Sequence, residues 1–197
     1  MFQHIGVQSS LKGKTQKLKD KEFGKQPIIK AHQNPTAKLS TSLKTYMKYT
    51  LQSAYLGQNY FWSMAPSKND YILFEFAKPV EIYKYYIKSG NPEHPDDKLR
   101  HAYIQIQTLN EIPKNQLPAE YTRHKDRFYT VNKFSSDLGI VSGTFNPAIT
   151  GKISKLKINI PESSETWIIL SEIDITTTPI PGKIKKEDTN LRRTLRN

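Results

Sequence analysis

Short runs of β-forming residues, separated by turn residues, recur along the chain from Leu39 onward. The clearest run, residues 71–76, is followed by Lys78-Pro79 and a second run over residues 80–87, which predicts a hairpin with a Lys-Pro turn. Residues 153–160 alternate between apolar and polar side chains, which indicates a strand with one buried face and one solvated face. Further strands are predicted over residues 102–107, 127–132 and 167–176. The pattern therefore predicts an all-β fold of the sandwich or barrel kind.

The two ends of the chain differ from this middle part. Residues 12–23 predict a short polar helix closed by Gly24, with too few apolar positions for a core of its own. Residues 26–35 are polar and punctuated by proline, as is typical of a connector. No helical period is visible between residues 39 and 178. We also find no repeat of about 20–50 residues, which disfavours propellers and solenoids.

The net charge of +12 suggests a nucleic acid or an anionic membrane as partner, but its distribution weakens this interpretation. Residues 1–30 hold seven lysines against two acidic residues, and residues 183–197 hold six lysines or arginines against two. The segment between these ends is close to neutral. A basic run at a chain end is usually a solvated tail, so we do not predict nucleic-acid binding.

Composition also limits the chemistry. Without cysteine, the chain has no disulfide, no thiolate zinc site and no cysteine nucleophile. His32, His101 and His124 lack the spacing of metal ligands, and no glycine-rich phosphate loop is present. No apolar run approaches the roughly 20 residues that span a bilayer, and the N-terminus lacks the apolar core of a signal peptide. Any targeting segment or membrane anchor is therefore expected outside this sequence.

The loop over residues 89–99 (SGNPEHPDDKL) is the richest in candidate chemistry. Glu93, His94, Asp96 and Asp97 follow a predicted strand directly, where a rigid scaffold can orient them. A carboxylate that accepts hydrogen bonds from two adjacent hydroxyls suits sugar recognition. The alternative is an ordinary turn, because Asp and Pro are common in turns.

Sugar recognition also requires an apolar surface, and Tyr60-Phe61-Trp62 is the candidate. An aromatic cluster after a loop is more often part of the core, which favours a core role for Phe61 and Trp62. Tyr60 is the better candidate for an exposed rim. Trp167 lies in an apolar run and is predicted to be core.

One resemblance concerns the fold. Residues 70–76, Lys78-Pro79-Val80, the strand end Ser89-Gly90-Asn91 and the closing run 167–175 resemble the galactose-binding-domain-like jelly roll of discoidin domains and family 32 carbohydrate-binding modules. The resemblance implies a jelly-roll β-sandwich whose loops at one end hold the ligand.

A second resemblance is more specific and covers about residues 1–178. It is to the C-terminal part of the alpha-1,3-mannosyl-glycoprotein 4-beta-N-acetylglucosaminyltransferases, the N-acetylglucosaminyltransferase IV family. The matching segments are residues 1–6, 9–11, 14–21, 40–46, Phe61-Trp62, Ser89-Gly90-Asn91, Glu93-His94-Pro95 and 167–173.

The second resemblance implies a division of the chain. Residues 1–35 would be the trailing edge of a catalytic domain plus a connector, residues 36–178 a lectin-like β-sandwich, and residues 179–197 a basic tail. The family's acidic metal-binding motif precedes everything in this sequence, so we expect no complete catalytic site here. His4 resembles a late histidine near the metal or diphosphate, and it would act only with the catalytic domain attached.

The resemblance also implies a ligand and a setting. The family enzyme, anchored in the Golgi membrane, transfers GlcNAc from UDP-GlcNAc, with a divalent metal, to the α1,3-arm mannose of N-glycans in the Golgi lumen. For the sandwich itself we expect no cofactor and predict binding of GlcNAc-terminated N-glycans. Asp97 matches the family's GlcNAc-contacting aspartate, while the further candidates are Asp96, His94, Glu93, Asn91 and Tyr60.

Two alternatives remain open at this point. The sandwich could be a structural support that binds nothing, or a discoidin-type module that contacts a membrane surface through Trp62-Ser63-Met64 and its basic ends. The acidic residues at 93–97 oppose membrane insertion, because carboxylates at the tip would be repelled by anionic lipid.

Overall fold

The fold was analysed in a computed structural model, which describes residues 33–135 and 137–177. The predicted helix at 12–23, His4 and the basic tail lie outside the described residues. The strands are β1 (Ala37–Thr41), β2 (Phe61–Ser63), β3 (Tyr71–Val80), β4 (Lys84–Ser89), β5 (Tyr103–Thr108), β6 (Thr122–Arg123), β7 (Tyr129–Lys133), β8 (Ile140–Thr144), β9 (Ile153–Asn159) and β10 (Ile168–Thr176); the helices are α1 (Leu51–Tyr55) and α2 (Pro147–Thr150).

The strands form two antiparallel sheets. The six-stranded sheet has the order β1-β3-β9-β5-β7-β6, and the four-stranded sheet has the order β2-β10-β4-β8. Alternate side chains of each strand point into the space between the sheets, as β3 illustrates: Ile72, Phe74 and Phe76 are buried, whereas Leu73 is only half-buried. This arrangement confirms the predicted all-β sandwich. The four strands predicted over residues 102–107, 127–132, 153–160 and 167–176 match β5, β7, β9 and β10 to within two residues.

The predicted hairpin over residues 71–87 is wrong. Strand β3 continues through Lys78-Pro79 to Val80, and β4 belongs to the other sheet. Pro79 can lie inside a strand here because the pairing of β3 with β9 is interrupted between Glu75 and Val80, where no backbone N–H is needed. Ile82, fully buried, anchors the connection between the two sheets.

The two short helices had no counterpart in the sequence prediction. Helix α1 begins after Thr50, whose hydroxyl accepts a hydrogen bond from the backbone N–H of Ser53 at 3.2 Å. Leu51, Ala54 and Tyr55 bury one side of this helix. A five-residue helix is too short to give a recognisable helical period.

One end of the sandwich gathers the loop after β4, the segment before β10 and both flanks of β2. We call the region formed by residues 44–50, 59–62, 89–99 and 164–167 the site end. Strand β5 runs away from it, beginning after the 89–99 loop and ending at Thr108 at the opposite end.

Candidate functional site

Buried hydrogen bonds fix the base of the 89–99 loop to β10. The Ser89 hydroxyl donates to the Ile169 carbonyl at 2.7 Å and accepts from the Leu99 N–H at 2.7 Å. The Asp97 carbonyl accepts from the Ile169 N–H at 3.0 Å. Gly90, at φ +78°, turns the chain out of β4 in a conformation that favours glycine. Both stems of the loop are therefore held by the same strand.

Within the loop, Asn91 and His94 close a compact turn. The Asn91 side-chain oxygen accepts from the His94 N–H at 2.6 Å, and the His94 carbonyl accepts from the Asp97 N–H at 3.3 Å. Glu93 and Asp96 are exposed, whereas Asp97 is half-buried. The turn thus directs one carboxylate inward and leaves two in solvent.

Asp97 meets Trp62 at the centre of the site end. The Trp62 indole N–H donates to Asp97 Oδ2 at 3.1 Å. The His94 ring packs on the same indole, with ring centroids 4.5 Å apart and planes tilted by 43°. Among the described residues, no side chain bonds to the second oxygen of Asp97, Oδ1. The carboxylate is therefore held in place by one oxygen and free to accept from a ligand with the other.

Four half-buried aromatic residues pack around Trp62, which is itself half-buried. We call the five residues the aromatic cluster: Tyr46, Tyr49, Tyr60, Trp62 and Trp167. Tyr49 and Tyr60 stack with centroids 4.6 Å apart and planes within 7°. Trp62 makes edge contacts with Tyr46 at 5.0 Å and with Trp167 at 5.5 Å. The cluster offers an apolar surface beside a polar acceptor, which is the pairing that sugar recognition requires.

Backbone hydrogen bonds place the 44–50 segment over β2. The Tyr46 N–H donates to the Trp62 carbonyl at 2.8 Å, and the Trp62 N–H donates to the Tyr49 carbonyl at 3.1 Å. Met47, at φ +48°, makes the turn between these contacts and is 74% exposed. Tyr46 and Tyr49 are thereby held against Trp62, with edge contacts at 5.0 and 5.5 Å between ring centroids.

Tyr60 lies at the edge of the aromatic cluster. Partial burial raises the pKa of Tyr60 above its usual value, and its hydrogen bond with Tyr49 and the charge of Glu93 act in the same direction. Tyr60 is therefore neutral at physiological pH and its hydroxyl retains hydrogen-bonding capacity.

The structure brings some of the predicted site residues together and separates one. Asp97, His94 and Tyr60 lie around Trp62, and Asn91 supports the turn. The Asp96 side chain is 84% exposed and lies 3.8 Å from Arg100, and no contact joins it to the aromatic cluster among the described residues. A surface pair of this kind contributes little.

Two residues predicted to be core belong instead to the aromatic cluster. Phe61 is fully buried as predicted, but Trp62 and Trp167 are half-buried. Trp167 precedes the first residue of β10, and Trp62 lies on the face of β2 that turns away from the core. Tyr46 and Tyr49 were not predicted as site residues, and their three-residue spacing on a polar segment was the only available signal.

The described residues show no group of three or more histidine and acidic side chains arranged to hold a metal ion. Within the same part of the chain, we find no helix with the length and apolar content to cross a bilayer.

Solved structures with this fold include sugar-binding domains. A fucose binding module of Streptococcus pneumoniae superposes with a TM-score of 0.52 at 13% identity, covering 74% of this chain and 96% of that one. The lectin domain of lectinolysin, complexed with Lewis B antigen, gives 0.50 at 10% identity, covering 74% and 95%. At these identities the likeness concerns the fold alone, and it confirms the predicted jelly roll.

The sequence comparison is more specific. Alpha-1,3-mannosyl-glycoprotein 4-beta-N-acetylglucosaminyltransferase B of Danio rerio is 40% identical over 183 residues, covering 89% of this chain and 33% of the relative. The A enzyme of Xenopus tropicalis is 42% identical over 182 residues, covering 91% and 33%. The chain thus spans about a third of the length of these relatives. The family model of the MGAT4 C-terminal domain matches residues 37–172, which confirms the resemblance found in the sequence. The chain belongs to the MGAT4 C-terminal domain family.

Proposed function

We propose that the site end binds a terminal sugar, with GlcNAc at the end of an N-glycan as the ligand. The observation that carries this proposal is the half-buried Asp97 carboxylate, oriented by the Trp62 indole within the aromatic cluster. The names of the relatives support the choice of sugar, because these enzymes handle N-acetylglucosamine on mannosyl glycoproteins. The fucose-binding and Lewis-B-binding domains support carbohydrate as the ligand class.

Each part of the site would have a separate role in binding. Asp97 Oδ1 accepts from one sugar hydroxyl, or from two vicinal ones, in charge-assisted hydrogen bonds. The indole N–H holds the other oxygen, so the carboxylate is already oriented when the sugar arrives. The aromatic cluster packs against the C–H face of the ring, and Tyr60 offers a hydroxyl at the rim. A shallow site of this kind binds weakly, on the order of millimolar.

Weak binding becomes useful when the domain is attached to an enzyme. We propose that it serves an N-acetylglucosaminyltransferase IV-type enzyme of the Golgi lumen, which transfers GlcNAc from UDP-GlcNAc to the α1,3-arm mannose. In that setting UDP-GlcNAc and the divalent metal belong to the catalytic domain, and an anchor outside this sequence provides the membrane attachment. Holding the glycoprotein through its glycan raises the local substrate concentration, so even millimolar affinity increases turnover.

The proposal is tested by NMR titration of the 197-residue chain with GlcNAc, galactose and mannose. We expect saturable binding of GlcNAc, with shifts centred on residues 46–62 and 91–97. Asp97→Asn keeps the size of the side chain but removes its charge, and it should abolish measurable binding. Asp126→Asn is the matched control, because Asp126 lies on the exposed turn before β7 at the opposite end of the sandwich.

The outcomes separate the candidate functions. Failure of the wild-type chain to bind any of the three sugars would refute the proposal and favour a structural support. Binding that survives Asp97→Asn but is lost in Asp96→Asn would move the site to the exposed carboxylate. Preference for galactose or mannose would keep the lectin and overturn the choice of sugar.

A further inference from the structure

A second concave site lies at the end of the sandwich opposite the site end. It has a volume of about 190 Å³ and lies between the end of β5, the start of β9 and the turn that joins β6 to β7. Its lining includes Gln107, Glu111, Arg123, Arg127, Tyr129 and Ser154. The volume admits a small group such as a carboxylate with part of a sugar ring, and it is smaller than a typical drug-sized pocket of about 300 Å³ or more.

The two arginines of this cavity differ in their ion pairing. Arg123 pairs with Glu111, with 2.9 Å between Nη1 and Oε1. Within the described part of the chain, the Arg127 guanidinium has no carboxylate or carbonyl partner. The adjacent Asp126 carboxylate accepts from the Phe128 N–H of the same turn at 3.3 Å, and among the described residues it forms no ion pair with Arg127. Arg127 therefore brings to the cavity an exposed guanidinium that no described carboxylate pairs with.

Arg127 has an unusual backbone conformation at the tip of a tight turn. Its φ of +66° is a conformation that favours glycine, yet a long charged residue occupies it. The Arg127 N–H donates to the His124 carbonyl at 3.1 Å and the His124 N–H donates to the Phe128 carbonyl at 2.8 Å, which closes a tight turn. The arginine is thus fixed at the tip of a short, well-bonded hairpin.

A buried tyrosine lines the same cavity as Arg127. Tyr129 lines the cavity and is only 2% exposed. Its oxygen accepts from the Ile112 N–H at 3.2 Å, and in the described residues its own proton has no acceptor. A buried hydroxyl proton without an acceptor is unfavourable, and an anion in the cavity would satisfy it.

We propose that this cavity binds the oxyanion of a small acidic ligand, a carboxylate or a phosphate. Arg127 supplies the charge, Arg123 adds a second guanidinium that Glu111 orients, and Tyr129 donates a hydrogen bond. Guanidinium groups suit both anions because their paired N–H groups match two oxygens at once. The site does not depend on the proposed sugar site, since the two lie at opposite ends of β5.

The test uses the 197-residue chain in NMR titrations with glucuronic acid, glucose and inorganic phosphate. Glucuronic acid and glucose differ only by a carboxylate in place of a hydroxymethyl group, so they isolate the anion. We expect glucuronate or phosphate to shift the amides of residues 107–112 and 123–129 with millimolar affinity, and glucose to leave them unchanged. Whether glucuronate or phosphate binds shows whether the natural ligand carries a carboxylate or a phosphate. Added NaCl should weaken the binding of either anion.

Arg127→Gln should weaken the anion roughly tenfold, the loss of about one charge-assisted hydrogen bond. Arg127→Gly removes the side chain and also fits the positive φ, so its loss of binding cannot be attributed to misfolding. Lys114→Gln, at another exposed position, is the control for net charge and should change affinity less than twofold.

The proposal is overturned if neither anion shifts these amides, or if Arg127→Gly binds as tightly as the wild type. Asp97→Asn should retain anion binding in full. The amides of residues 46–62 and 91–97 report sugar binding, and those of residues 107–112 and 123–129 report anion binding. Absence of one kind of binding can therefore be distinguished from absence of the other.

Discussion

The core of the sandwich and its site end are built from different kinds of side chain. Between the sheets, isoleucine dominates, and Ile72, Ile104 and Ile173 are completely buried. At the site end, tyrosine and tryptophan dominate, and every member of the aromatic cluster is half-buried. Aliphatic side chains have no polar atom to satisfy, whereas the indole and phenol groups each carry one.

This difference separates stability from recognition. The aliphatic core gains free energy from complete removal of apolar surface from water. The aromatic cluster gains less because its rings are only half-buried. Its exposed ring faces and the oriented Asp97 carboxylate are available to a ligand. Substitutions in the core should therefore change folding, and substitutions at the site end should change binding.

The largest expected effect is on folding, from Phe74→Ala. Phe74 is fully buried on β3 and packs against Tyr55 with ring centroids 5.4 Å apart. Its truncation should lower the free energy of unfolding by about 3–5 kcal/mol, the range for aromatic side chains that leave a cavity. Leu73→Ala, on the outer face of the same strand, should cost about 1 kcal/mol or less. Urea unfolding of the two variants measures the contrast, and equal losses would contradict the assignment of inner and outer faces.

An intermediate effect is expected where the core meets the site end, from Ser89→Ala. The change leaves the buried Leu99 N–H without an acceptor, which should cost about 1–3 kcal/mol. Leu99 closes the loop that carries Asp97, so GlcNAc binding should weaken as well. Ser142→Ala, exposed in the neighbouring strand β8, is the control in urea unfolding and sugar titration. A stability loss with unchanged sugar affinity would show that the loop is positioned without this hydroxyl.

The sequence predicts the core better than the arrangement around it. Alternation over residues 153–160 predicted β9 because burial of every second side chain follows directly from strand geometry. Which strands pair with each other depends on contacts between residues that are far apart in sequence, so the local pattern of residues does not predict it. For this reason the run after Pro79 was assigned to a hairpin, although β4 pairs with β10 and β8.

The arrangement of the candidate site was predicted in part. The 89–99 loop is continuous in sequence, so its cluster of polar residues was visible and Asp97 was selected within it by resemblance. The aromatic cluster comes from three separate segments that meet only in the fold. Trp167 was assigned to the core because it begins an apolar run, and the sequence does not show at which residue of such a run burial starts. In the structure β10 begins one position later, at Ile168.

The smallest effect on folding among these three substitutions, with a selective loss of sugar affinity, is expected from Trp62→Phe. Phenylalanine keeps an aromatic face but cannot donate to Asp97, so the carboxylate loses the bond that orients it. GlcNAc affinity should fall roughly three- to tenfold, as for one hydrogen bond to a charged group, with a stability loss of about 1 kcal/mol. Trp167→Phe is the matched control, because among the described residues no acceptor faces the Trp167 indole N–H. Calorimetric titration of both variants should show the larger loss for Trp62. An equal or larger loss for Trp167 would mean that ring area, and not orientation of the carboxylate, controls binding at this end of the sandwich.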